Sequence, residues 1–192
     1  MNAVTMLLMV TLSLIFPLGQ PLAAPSPEAV LKAVVRIRAT IPREAESART
    51  LGTEREGNGV VVDAEGTILT AGYLIRDARS VEVTVHNREP VAARVVAYDF
   101  NTGFGLLKTE APLGLEPVPL GDSSTLKAGE AILVAAHGGE GAALLALVVS
   151  RAEFAGHWEF LLDEAIYTVP AHASYGGAAL IDAGGRLVGI GA

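Results

Sequence analysis

Few positions in this 192-residue chain combine residue types at a spacing that could do chemistry. The serine best surrounded by potential helpers is Ser174, in Ala171-His172-Ala173-Ser174-Tyr175-Gly176-Gly177-Ala178-Ala179-Leu180. A serine becomes a nucleophile only with an oriented base in hydrogen-bond reach. His172 and the distant Tyr73 are the groups that could assist it, and His172 has no evident carboxylate to orient it. The plainer reading is that a serine in a Gly/Ala-rich turn bonds to the backbone. The four histidines, His86, His137, His157 and His172, lack the spacing of metal ligands, and no metal site is expected. Gly138-Gly139-Glu140-Gly141 lacks the Lys and Ser/Thr of a phosphate-binding loop and reads as a hairpin turn. No cofactor is expected.

Composition narrows the classes further. The chain is 51% hydrophobic and 18% charged, with 21 Gly and 10 Pro spread along it, as in a turn-rich globular protein. A net charge of -7 without a Lys/Arg stripe argues against nucleic acid as a partner. The absence of cysteine excludes disulfides, thiolate nucleophiles and cysteine-based zinc sites. The first 27 residues carry no charged side chain, and Met6 to Leu18 is apolar apart from Thr11 and Ser13. This predicts a signal peptide over 1–24, ending at Ala23 and Ala24, with a short N-terminal anchor as the alternative, and hence a periplasmic or secreted protein. Pro17, Gly19 and Pro21 leave an apolar run shorter than the ~20 residues of a bilayer span, so no membrane span is expected in the mature chain.

The elements that must position these residues read mostly as strands. Ser26-Pro27-Glu28 predicts an N-cap, a first-position proline and a first-turn acid, opening the only helix. Strands are predicted over 34–39, 59–62, 67–70, 91–98 and 104–108, and Val81, Val83 and Val85 alternate with polar residues as on a half-buried strand. The polar stretch 41–56 reads as a surface loop. After a turn-rich connector, further strands are predicted over 131–136, 143–149, 158–162, 166–169, 178–181 and 187–190. Such spacing without helical patterns argues for antiparallel barrels or a sandwich.

Five blocks in order choose between these. They are Gly57-Asn58-Gly59-Val60-Val61-Val62-Asp63; Glu65-Gly66-Thr67-Ile68-Leu69-Thr70; Asp99 to Lys108; Leu120-Gly121-Asp122-Ser123 with Leu126, Gly129 and Glu130; and Gly176 to Ile190. Together they resemble trypsin-like serine proteases of the HtrA/Deg branch, from about Val34 onward. The resemblance implies an all-β fold of two antiparallel six-stranded barrels, the first over 34–110, a connector over 111–129 and the second over 130–192, within a domain spanning 25–192. No PDZ domain is expected. The family chain continues beyond the strand ending at Ile190, so the expectation is either an incomplete second barrel or a truncated gene product.

The same resemblance locates the catalytic positions, and all three are replaced. Tyr73 stands where the family has its general-base histidine, and Gly103 where it has the orienting acid. Counting back from Leu180 puts the nucleophile at Gly176; matching the paired glycines puts it at Tyr175, and counting forward from Tyr167-Thr168 puts it at Gly177. In the first alignment Ser174 replaces the glycine of the oxyanion loop. The triad acts as a unit, so the expectation is a catalytically inactive homologue that binds a peptide or protein. Tyr73 would fill the space vacated by the missing histidine and acid. The alternative is a serine endopeptidase with residual or unconventional activity through Ser174.

Overall fold

Helix α1 (Pro27–Lys32) forms as its sequence predicts. Ser26 Oγ accepts the Ala29 N–H at 3.1 Å, Pro27 opens the first turn, and Glu28 pairs with Lys32 one turn later. In the computed structural model, which describes residues 25–156 and 161–192, this helix leads directly into the first of two β layers. No helix among the described residues is long and apolar enough to cross a membrane. The leader expected over 1–24 lies outside the described residues, as does His157.

Six strands close the first layer into a barrel: β1 (Val34–Thr40), β2 (Glu54–Val61), β3 (Thr67–Ala71), β4 (Ser80–Thr84), β5 (Val91–Tyr98) and β6 (Phe104–Thr109), in the order β1-β2-β3-β6-β5-β4. Their alternation delivers Ile37, Val60, Ile68, Val83 and Leu107 to an interior from which solvent is fully excluded. The second layer is an open five-stranded sheet of β7 (Ala131–Ala135), β8 (Ala143–Ala155), β9 (Leu161–Val169), β10 (Ala179–Ile181) and β11 (Leu187–Ile190), ordered β11-β10-β7-β8-β9. One face, with Ala135, Ala179, Ile181 and Leu187, joins the first barrel's core. The other collects Ile132, Val134, Ala146, Val148, Leu180 and Val188 into a second cluster. This is the trypsin-like architecture expected from the sequence, with the second barrel left open. The connector packs on the first barrel, where Val118 is buried and its N–H donates to Val61 O at 2.9 Å.

Three expectations need correction. The stretch 41–56 is not a plain surface loop: it holds α2 (Ala48–Leu51) and the start of β2, and Ile41 and Arg55 are buried. Arg55 can be buried because its guanidinium donates to Tyr73 O at 2.6 Å, Arg76 O at 3.0 Å, Gly52 O at 3.3 Å and Ser47 Oγ at 2.7 Å. A second correction is that helix also forms at α3 (Gly72–Ile75), a single turn after β3, where Gly72 allows close contact with the turn at Gly103. The third concerns the strands predicted over 158–162 and 166–169. From Leu161 onward they are one strand, β9, because β8 runs on to Ala155 and offers it a partner throughout. Residues 158–160 lie outside the described residues.

Candidate functional site

The two layers meet around Asn58, a buried β2 residue flanked by Gly57 and Gly59. Its side-chain nitrogen donates to Ser174 O and Gly176 O, both at 2.9 Å, and its side-chain oxygen accepts the His137 N–H at 2.8 Å. Its backbone N–H also donates to Gly176 O at 2.9 Å, and its carbonyl accepts the Thr70 hydroxyl at 2.6 Å. One amide thereby ties β2 and β3 to the His137 loop and to the segment 171–177. Small neighbours are required for this approach: a Cβ at Gly57 would lie 2.9 Å from Gly176 O.

This clamp holds the segment of Gly176 against β2, and Gly176 lies against Tyr73. Tyr73 sits on α3, and a Cβ built on Gly176 would collide with the Tyr73 hydroxyl, with the Tyr73 ring carbon 3.5 Å away. Gly103 lies behind α3, in the β5–β6 turn at φ 72°, and its carbonyl accepts the Gly72 N–H at 2.7 Å. Gly177, at φ 74°, would drive a Cβ into Asn58 O and can carry no side chain there. Tyr175 is 54% exposed. Of the two glycines among the candidate nucleophile positions, Gly176 is the one where an added Cβ would meet Tyr73.

The available groups are poorly disposed for proton transfer. Burial, and then the neighbouring Tyr175, push the Tyr73 hydroxyl above its usual range, so it remains a neutral phenol at physiological pH. Asp99, the nearest acid in that block, uses its carboxylate in its own turn, accepting the Thr102 hydroxyl at 2.6 Å and the Asn101 N–H at 2.9 Å. The Thr102 bond, then the Asn101 bond, hold it below the ordinary carboxylate range.

Ser174 is exposed, and its backbone N–H donates to His172 Nδ1 at 3.0 Å. His172 Nε2 lies 3.1 Å from Ala142 O, which requires the proton on Nε2 and spends the Nδ1 lone pair on that N–H. The imidazole therefore anchors the 171–177 segment instead of facing the Ser174 hydroxyl. The contributions of Asn58, Arg55 and His137 were not singled out from sequence; two glycines flanking an asparagine inside a strand were the available signal.

Two cavities open on either side of this junction. A polar cleft of about 400 Å³ is lined by Arg36, Glu56, Asn58, Tyr73, His137 and Ser174. His137 Nε2 is buried in the protein without a hydrogen-bond partner. Burial, then the Arg36 charge, hold this imidazole below its usual range. A larger groove of about 650 Å³ runs along the inner face of the open sheet, between β9 and β11.

Comparisons with known proteins agree with this architecture. The chain is 34% identical over 92 residues to a probable periplasmic serine endoprotease, DegP-like, of Pseudomonas putida (strain GB-1), a match covering 48% of this chain and 19% of the relative. It thus spans about a fifth of the length of that relative. Among solved structures, the active form of the Rv3671c protease of M. tuberculosis superposes with a TM-score of 0.67 at 22% identity, over 97% of this chain and 82% of that one. The HtrA-type protease AlgW with a tripeptide superposes with a TM-score of 0.63 at 23% identity, over 86% of this chain and 54% of that one. The sequence profile of the trypsin-like peptidase domain matches residues 57–190, most of the described fold. The chain belongs to the trypsin-like peptidase domain family, with HtrA-type proteases among its structural neighbours.

Proposed function

We propose that this protein is an exported, non-hydrolysing member of its family that binds a peptide or protein partner. The observation that carries the reading is the Tyr73 hydroxyl packed directly against Gly176, close enough to collide with a Cβ there. If Gly176 is the nucleophile position and Tyr73 the base position, the site carries neither group, and a serine at 176 would have to move the end of the Tyr73 side chain. Two further features support it. Gly103 supplies no carboxylate, and the Ser174 N–H, an oxyanion-hole donor in the ungapped alignment, is already engaged by His172. Loss of triad and donor together removes the charge stabilisation that acyl transfer requires. The apolar leader and the periplasmic naming of the DegP-like relative support export.

The test is turnover of an unfolded protein such as casein by the folded domain, read by peptide release. The expected result is no release above buffer and no difference between the wild type and Ser174→Ala. Release that is abolished in Ser174→Ala would replace this reading with that of an endopeptidase using a displaced serine.

A further inference from the structure

We propose that the polar cleft at the seam of the two layers holds a carboxylate of the bound peptide, supplied by its C-terminus or by an acidic side chain. The proposal rests on the peptide-binding reading above and specifies which group of the peptide this cleft recognises. The cleft of about 400 Å³ is built from β1, β2, α3, the His137 loop and the segment 173–176, enough space for a peptide end or a side chain.

Strand register explains why a cation faces it. On β1, Arg38 lies directly opposite Glu56 of β2 and Glu82 of β4, whereas Arg36 lies opposite Asn58 and Thr84. Glu56 is therefore shared unequally, at 3.3 Å from the Arg38 guanidinium and 3.9 Å from that of Arg36. The longer distance is beyond hydrogen-bond range, so Arg36 keeps N–H donors for a ligand. Further donors stand around it. The Tyr73 and Ser174 hydroxyls line the cleft and make no hydrogen bond to another described residue. Burial, and then Tyr175, hold the Tyr73 hydroxyl above its usual range, so it stays protonated and can donate. His137 adds an imidazole whose Nε2 is buried without a partner. Against these donors, Glu56 is the one side-chain carboxylate in the lining among the described residues, and Arg38 holds it more closely. An excess of donors calls for a group that only accepts, and an ionised carboxylate paired with a guanidinium forms the strongest bond of that kind. A cationic side chain of a partner would face the Arg36 charge and leave the same donors unpaired.

The experiment is a titration of the folded, isotope-labelled protein, followed by nuclear magnetic resonance of its backbone amides and histidine rings. The probes are three N-acetylated peptides of one alanine-serine sequence: one with a free C-terminus, one amidated, and one amidated with a glutamate in its middle. Saturable shifts centred on His137 and Ser174 are expected for at least one of the two carboxylate-bearing peptides. Which of them binds tells whether the cleft takes a C-terminus or a side chain. The neutral amidated peptide should bind about tenfold more weakly, and Arg36→Gln should remove that difference. The amide spectrum of Arg36→Gln reports in the same experiment that the variant is folded. Equal binding of all three peptides, shifts confined to residues outside the cleft, or a carboxylate preference retained in Arg36→Gln would overturn the proposal and leave peptide binding in place. No shift with any of the three would also overturn it, while casein release decides the non-hydrolysing reading separately.

Discussion

The two layers differ in closure more than in composition. The first barrel pairs every strand on both sides, and Ile37, Ile68, Val83 and Leu107 are sealed from solvent. The second sheet uses the same kinds of residues but leaves two edges, and Leu180 and Val188 retain contact with the groove. Closure converts apolar strands into stability, whereas an open sheet leaves part of that surface less enclosed. The candidate site lies at the seam, on segments of both layers held by Asn58.

The largest expected effect comes from cutting the same side chain in each layer. Leu107→Ala, in the sealed barrel, should destabilise by about 4 kcal/mol, while Leu180→Ala, beside the groove, should cost about 2 kcal/mol, because less contact is lost and solvent can enter. Chemical denaturation of the two variants measures the gap, and equal losses would contradict the contrast. Asn58→Ala leaves three backbone partners without their side-chain bonds and should cost about 3 kcal/mol. It should also broaden the unfolding transition relative to the wild type as the layers uncouple.

Next in size is the contact between Tyr73 and Gly176. Gly176→Ser should destabilise by about 2 kcal/mol in the wild type and by much less in a Tyr73→Ala background, giving a coupling energy of about 1 kcal/mol or more in a double-mutant cycle. Additive effects would mean that the tyrosine does not fill that space. The smallest effect is electrostatic. Burial and Arg36 disfavour the charged form of His137, so the unfolded chain takes up this proton near its ordinary value of about 6.5 and the folded chain only at lower pH. Stability should therefore fall as pH drops from about 7 toward 5, and His137→Gln should flatten that slope.

Much of the fold was legible because its signals are local. Period-two valines, the Ser26-Pro27-Glu28 cap and the Gly138–Gly141 turn are set by near neighbours and form much as read, although β4 ends at Thr84, which is itself buried, and Val85 lies beyond it. What the sequence concealed depends on distant partners. Arg55 looked like a loop charge because its carbonyl acceptors include those of Tyr73 and Arg76, about twenty residues on. Asn58 looked like one letter of a glycine-rich block because its amide partners lie 79 to 118 residues away. Tyr73, Gly103 and Gly176 could be proposed as positions from sequence, but the collision between the Tyr73 hydroxyl and a Gly176 side chain required coordinates.

The most direct test of the central reading is fluorophosphonate labelling of the folded protein with intact-mass detection. The account predicts no adduct, since the His172 ring beside Ser174 is engaged by the backbone. A stoichiometric adduct that maps to Ser174 and vanishes in Ser174→Ala would contradict it, because that serine would then be activated despite the bonds that His172 makes to the backbone.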